Sequence, residues 1–235
     1  MTYTGDVANG GASDLRVLDE VEIRKASVGP MDNNAYLLTC RRDGAQVLID
    51  AADDPDRLVA LVREGSGSAG LDVVVTTHRH PDHWRALRSV VAVTGADVAV
   101  GVDDADAVAE GADVPVTTRL HDGDTLTFGQ VALEVVALRG HTPGSVALVY
   151  REPSGASAPG AVAGRVHVFT GDSLFPGGVG ATRGDAEAFT RLMDDVTERI
   201  FDRFDDETWV YPGHGADTTL GAERASLAEW RSRGW

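Results

Sequence analysis

Within six residues, His78-Arg79-His80-Pro81-Asp82-His83, this chain gathers four side chains of the kind that bind a metal ion. The run follows directly on the mostly apolar stretch Leu71 to Thr77, where a strand would end. Histidine accounts for only 7 of 235 residues, so the pattern HxHxDH should arise by chance roughly once in a few thousand chains of this size. Metal chemistry is therefore the first expectation.

Residues two apart on an extended segment point the same way, so His78 and His80 can present both imidazoles to one ion. Pro81 suits the first position of a helix. It would place Asp82 and His83 in that helix's first turn, facing another direction, with the carboxylate near the positive end of the dipole. Four such groups on one short turn close poorly around a single tetrahedral ion. The spacing suggests two metals sharing the loop, each completed from elsewhere.

Three later loops carry suitable side chains. Gly140-His141-Thr142-Pro143-Gly144 follows the apolar run Val131 to Leu138, Gly171-Asp172 follows Val166 to Thr170, and Pro212-Gly213-His214-Gly215 follows Thr208 to Tyr211. Each sets one ligand-type side chain just past a strand, beside glycine that lets backbone crowd close to an ion. A lone Gly-His at a strand end is more often a hydrogen-bonded turn histidine, and a lone Gly-Asp a turn or helix cap. In one chain with HxHxDH, they reinforce each other.

The motifs HRHPDH, GHTPG, TGDSLF and YPGHG, in this order, resemble the metallo-β-lactamase superfamily and, within it, short glyoxalase II-like metallo-hydrolases. The resemblance runs from about Val21 to Trp235. It implies that His78, His80 and His141 hold a first zinc, that Asp82, His83 and His214 hold a second, and that Asp172 bridges them. Two Zn²⁺ are the expected cofactors, with iron or manganese as alternatives. Asp50, ending Val47-Leu48-Ile49-Asp50, matches an aspartate that braces the ligand loop, and reads equally well as a simple strand cap.

Two such ions can lower the pKa of a bridging water towards neutrality, so the expected nucleophile is a metal-bridging hydroxide. Asp82 would both bind metal and orient that hydroxide. A thiolate departs readily, so the expected activity is hydrolysis of a thioester of a small thiol. An aspartate at position 172 is what the resemblance implies for glyoxalase II-like hydrolases, lactonases and phosphodiesterases; β-lactamases proper have cysteine or serine there. Only Gly215 to Trp235 follow His214, too few for a glutathione-gripping helical domain. Lys25 is the only lysine against twenty arginines, a bias of GC-rich genomes. An actinobacterial acyl-mycothiol is a substrate that fits both points. The rival readings are a mononuclear iron persulfide dioxygenase using His78, His141 and Asp172, a lactonase, and a non-catalytic metal-binding module.

These loops need a scaffold. Strand-like runs are expected at Arg16 to Ala26, Asn34 to Cys40, Gln46 to Ala51, Leu71 to Thr77, Val98 to Val102, Thr125 to Phe128, Val131 to Leu138, Ser145 to Arg151, Arg165 to Thr170 and Thr208 to Tyr211. Helical patterns are expected over Pro55 to Glu64, Asp82 to Val93, Asp103 to Glu110 and Asp185 to Phe204, the last with an apolar stripe from Phe189 to Phe204 that reads as core packing. The resemblance implies a four-layer αβ/βα sandwich of the α/β (α+β) class, two mixed β-sheets face to face with helices outside. Residues 1–15 read as a flexible tail and 16–235 as one domain. Glu152 to Gly164 reads as a flexible insertion, His167 as a structural histidine, His121 as a solvated turn residue and Cys40 as a packed strand residue. The loop Phe175 to Gly184, with Arg183, reads either as part of the site's mouth or as a glycine-rich connector.

The net charge of -16 describes a surface that repels nucleic acid and weighs against nuclease chemistry. No run approaches the eighteen apolar residues of a membrane span, and Met1 to Ser13 lacks the apolar core of a signal peptide, so the expected location is cytoplasmic. The expected partner is a small-molecule substrate, with neither nucleic acid nor membrane.

Overall fold

The computed structural model of the chain describes residues 2–234; Met1 and Trp235, the outermost positions of the expected tail and domain, lie outside the described residues. The first sheet runs in chain order through β1 (Asp14–Val17), β2 (Val21–Val28), β3 (Asn33–Cys40), β4 (Gln46–Ile49), β5 (Val73–Thr76), β6 (Asp97–Gly101) and β7 (Thr118–Leu120). β2 and β3 pair antiparallel from Val21 opposite Cys40 to Val28 opposite Asn33, whereas β4 to β7 lie parallel. The second sheet holds β8 (Thr125–Phe128), β9 (Val131–Ala137), β10 (Val146–Arg151) and β11 (Val166–Gly171). After a small ribbon of β12 (Leu174–Phe175) and β13 (Gly178–Val179), the chain returns as β14 (Trp209–Pro212) and β15 (Thr218–Thr219). The second sheet's order is β15-β14-β11-β10-β9-β8, with β11 and β14 parallel.

These strands are apolar on both sides because both sides are covered. Ile23, Leu38, Val47, Val75, Leu133, Leu148, Phe169 and Tyr211 fill the space between the sheets. Outside the first sheet, α1 (Pro55–Ser66), α2 (Leu87–Thr94) and α3 (Ala105–Ala112) bury Leu58, Leu61, Val62, Val90 and Val108. Outside the second, α4 (Ala186–Val196) contributes Leu192, Met193 and Val196; a wider turn over Thr197–Phe201 prolongs the expected stripe, and Trp230 packs with it. Each such side chain contributes about 1.5–3 kcal/mol relative to exposure. The result is the four-layer sandwich with mixed sheets that the motifs imply. Two short helices, α5 (Leu220–Glu223) and α6 (Leu227–Arg233), end the described chain.

Several expectations are corrected. The single strand expected from Arg16 to Ala26 is two, because Leu18-Asp19-Glu20 turns and the Leu18 N–H donates to Val21 O at 3.0 Å. Asp82 to Val93 is not one helix: Pro81–His83 form a 3₁₀ turn and α2 starts only at Leu87. Residues 2–15 are pinned by an aromatic and by hydrogen bonds. Tyr3 is buried, with its hydroxyl donating to Asp217 Oδ2 at 2.7 Å, and the Thr4 and Gly5 N–H groups donate to Asp14 Oδ2. The Arg16 guanidinium lies 3.9 Å from the Trp209 ring and 4.4 Å from that of Tyr3. The insertion is tethered too, the Ser157 and Ala158 N–H groups donating to Asp19 Oδ2 at 2.9 Å.

Cys40 is buried at the end of β3, and His121 is exposed, as expected. Among the described residues no helix is long and apolar enough to cross a membrane.

His167 is structural, and its surroundings explain why. Its Nε2 lies 2.8 Å from Glu152 Oε1 and its Nδ1 2.9 Å from the Tyr211 hydroxyl, a pairing that a neutral ring completes by donating to the carboxylate and accepting from the phenol. Burial pushes its pKa down to about 4 from the ordinary 6.5, against the pull of Glu152. Keeping this ring neutral therefore favours the folded state fully above about pH 6.5, and that contribution is lost as pH falls towards about 4. Thermal midpoints measured from pH 7 to 4.5 should fall further for the wild type than for His167→Gln; equal falls would refute this linkage.

Candidate metal centre

The site lies where strands end. Asp50 follows β4, Thr77 and His78 follow β5, and Asp172 and Gly213-His214 follow the parallel strands β11 and β14. Two backbone bonds stitch the two sheets along this edge, Val146 N–H to Thr77 O at 3.0 Å and Asn34 N–H to Gly213 O at 2.8 Å, and a third, Gly213 N–H to Gly171 O at 2.8 Å, ties the ends of β14 and β11 within the second sheet. The expected loops therefore meet.

Two triads emerge. In the first, His78 Nε2 lies 3.0 Å from His80 Nδ1, which lies 2.9 Å from His141 Nε2. Ligands on one tetrahedral zinc at about 2.0 Å stand roughly 3.3 Å apart, so these nitrogens are nearly at ligand spacing. In the second, His214 Nε2 is 3.3 Å and His83 Nε2 3.6 Å from Asp82 Oδ2. Asp172 sits between them, with Oδ1 3.3 Å from His83 Nε2 and Oδ2 3.6 Å and 3.7 Å from the Nε2 atoms of His214 and His141. All seven residues singled out by sequence are thus brought together. Within each of the groups His78/His80/His141, His78/His83/Asp172 and Asp82/His83/His214, the ligand atoms lie within 4.8 Å of one another.

Oxygens behind the rings fix their orientation. His83 Nδ1 lies 2.8 Å from Asp50 Oδ2, and the Thr77 hydroxyl donates to the same oxygen at 2.9 Å while lying 3.1 Å from His78 Nδ1. His141 Nδ1–H donates to Ala181 O, and His214 Nδ1–H to Met31 O, both at 2.9 Å. Each of these four rings therefore turns Nε2 inward, and His80 turns Nδ1. Asp50 is a brace rather than a strand cap, also accepting the Thr77 N–H at 2.8 Å.

Electrostatics agree with this arrangement. Burial and the neighbouring imidazoles hold His78 well below its ordinary pKa and bring His80 down to about 4; burial lowers His141 as well. These rings keep lone pairs for a metal. For His83, burial opposes charge, but Asp50 and Asp172 outweigh it and raise the pKa to about 10, so a cation at Nε2 is favoured, whether proton or metal. Burial works against the Asp172 charge and the facing histidines outweigh it, lowering its pKa. His83 Nε2 and Asp172 Oδ1 are buried without a hydrogen-bond partner, which leaves both available to ligate a metal. The donor set fits two first-row divalent ions, each with His and Asp ligands.

Beyond Asp50, sequence reasoning missed the residues that support the site. Asn33, fully buried at the start of β3, donates from Nδ2 to Asp82 Oδ2 at 3.0 Å and lies 3.3 Å from His214 Nε2. Asn34 donates to Pro212 O and Gly215 O, and Tyr36 to Pro212 O, holding the His214 loop. An adjacent Asn-Asn pair opening an apolar strand was the available signal.

Residues 28–158 match the family model described as the metallo-beta-lactamase superfamily. The probable hydroxyacylglutathione hydrolase glo2 of Schizosaccharomyces pombe is 28% identical over 189 residues, covering 79% of this chain and 65% of that protein. The mitochondrial persulfide dioxygenase ETHE1 of Homo sapiens is 32% identical over 185 residues, covering 76% of this chain and 62% of that protein. The chain thus spans less than two thirds of either curated relative's length. Among solved structures, TTHA1623 in a di-iron-bound form is 33% identical with a TM-score of 0.66, covering 84% of this chain and 95% of that one.

Gly213 offers a direct test of how tightly the centre is built. A Cβ there would stand 2.2 Å from Asp172 Oδ1 and 2.7 Å from His83 Cε1. Gly213→Ala should displace the Asp172 carboxylate and weaken Zn²⁺ binding by about 10- to 100-fold. Gly155→Ala, where nothing lies within 4 Å, should leave it unchanged. Metal titration of the two variants checks this, and equal affinities would refute the packing.

Proposed function

The chain belongs to the metallo-β-lactamase superfamily, and from that premise we propose that it is a dinuclear metal-dependent hydrolase acting on a thioester of a small thiol. The observation carrying this reading is the pair of donor triads on either side of a partly buried Asp172, with the buried atoms His83 Nε2 and Asp172 Oδ1 left without hydrogen bonds. Zinc is the proposed metal, with iron or manganese able to take the same donors. His78, His80 and His141 would hold one ion, Asp82, His83 and His214 the other, and Asp172 both. When bound, the ions supply a water of lowered pKa and a Lewis acid for the substrate carbonyl.

The chain's own residues supply the rest. Burial works against an ionised Asp82, but the Asn33 hydrogen bond and the His83 charge outweigh it and lower its pKa. An ionised Asp82 is an acceptor only, and it orients the attacking water by taking a hydrogen bond from it. No serine or cysteine nucleophile is needed. Arg183 stands two residues beyond Ala181, whose carbonyl holds His141, and takes the left-handed backbone conformation with φ of 56°. Its side chain is exposed, and its charge is felt at both His80 and His141. On this reading the guanidinium is a cation at the mouth of the site, suited to an anionic group on the thiol carrier.

A mononuclear iron persulfide dioxygenase, the activity for which the human relative is named, would leave Asp82, His83 and His214 without a task. The convergence of those three on one point favours the two-metal reading.

Purified protein given two equivalents of Zn²⁺ should hydrolyse at least one of a set of acyl thioesters of glutathione and mycothiol in preference to a lactone. His80→Ala or Asp172→Ala should abolish that turnover with the fold retained by circular dichroism. Wild-type turnover by either variant, or uptake of one iron with thiol-dependent oxygen consumption, would overturn the proposal. Arg183→Ala should raise KM about tenfold with kcat little changed; an unaltered KM would remove it from substrate binding.

A further inference from the structure

We propose that Asp104 is a positioning residue that clamps together the two loops carrying the His78/His80/His141 triad, so that this half of the centre depends on it and the other half does not. The inference rests on the two-metal reading of the site.

Asp104 begins α3, where an aspartate ordinarily accepts hydrogen bonds from the helix's own first N–H groups. Its side chain makes no such cap. It is fully buried and turned the other way. Oδ2 accepts the Arg79 N–H at 3.0 Å and the Thr142 hydroxyl; Oδ1 accepts the Gly144 N–H at 3.0 Å and lies 3.8 Å from Arg79 Nε. Arg79 is the residue between His78 and His80, and Thr142 follows His141. One carboxylate thus joins both loops of the first triad, while no contact from it reaches Asp82, His83 or His214 among the described residues.

The packing leaves no slack. A Cβ on Gly144 would stand 2.3 Å from the Asp104 nitrogen and 2.8 Å from its Cβ and Cγ, so the GHTPG turn can lie against Asp104 only with glycine there. Thr142 is held in turn by Ser145, whose Oγ lies 2.6 Å from its hydroxyl. This residue forgoes the stabilisation that a helix cap supplies. Three donors converge instead on a buried acceptor-only group, and replacing it leaves at least one of them unsatisfied. Asp104→Asn keeps the shape but aims an amide NH₂ at a backbone N–H or at the Thr142 hydroxyl in either orientation.

The test measures Zn²⁺ affinity by competition with a chromophoric chelator in two backgrounds. His214→Ala retains the first triad intact and His80→Ala retains the second. Asp104→Asn should weaken binding about 10- to 100-fold in the His214→Ala background and leave it unchanged in the His80→Ala background, the range expected for groups that orient metal ligands. Equal weakening in both, or weakening in neither, overturns the proposal. If Asp104→Asn does not fold by circular dichroism, Thr142→Val and Thr142→Ser in the His214→Ala background decide. Valine weaker than serine supports the clamp, and equal affinities refute it. A wild-type protein that binds fewer than two ions sinks the two-metal reading itself, a result distinct from two-ion binding that is indifferent to Asp104.

Discussion

Imidazole lone pairs do not converge on a point without a reason. Five histidine rings and two carboxylates meet here in a space a few ångströms wide, and the inward nitrogens of the first triad stand 2.9 to 3.0 Å apart. Uncompensated, such an arrangement is repulsive, and a cation among the lone pairs is what relieves it. The protein's contribution is to remove every other option from the rings. His83 is committed to Asp50, His78 to Thr77, His141 to the Ala181 carbonyl and His214 to the Met31 carbonyl. Those oxygens come from the end of β4, the end of β5, the loop after β13 and the turn between β2 and β3, so the centre is only as well formed as the packing of those separate elements.

Charge tells a compatible story. The chain carries a net charge of -16, yet the only ionised residues proposed to touch either ion are Asp82 and Asp172. Two divalent ions against two carboxylates leave the proposed centre locally positive, and Arg183 adds to this at the mouth. An anionic substrate is repelled by most of the surface and attracted to one place on it, which favours productive encounter there. Asp172 can remain ionised although partly buried because histidines face it on both sides.

The seven candidate ligands were readable in sequence because their signal is local: two histidines two residues apart, a proline turn, and Gly-flanked residues at strand ends. Most strands were readable too, since both-face burial writes continuous apolar runs. What escaped was set by distant contacts. Asp104 looks like an ordinary helix start, and nothing nearby says that its carboxylate turns towards Arg79 and Thr142. Asn33 is a polar residue opening an apolar strand, and its meaning depends on a loop 181 residues further along. The break between β1 and β2 was hidden because Leu18-Asp19-Glu20 turns without glycine or proline. Helix α2 starts four residues after His83 because Pro81–His83 close a 3₁₀ turn whose His83 ring is held by Asp50, a contact from another strand end that the local sequence does not announce.

Sheet order explains why the ligand loop can be braced from both sides. β4, β5 and β6 are neighbours, parallel, and end at one edge. Adjacent strands lie about 4.8 Å apart, so a short carboxylate leaving one strand end can reach the loop of the next and little further. The HRHPDH loop leaves the middle strand. From the β4 side, Asp50 takes Thr77 and His83; from the β6 side, Asp104 takes the Arg79 N–H. An edge strand would have offered one such neighbour, and an antiparallel neighbour would have placed its carboxyl end at the far edge of the sheet. Parallel pairing on both flanks is therefore part of the site's chemistry, because it puts an anionic acceptor on either side of a loop whose rings must stay fixed.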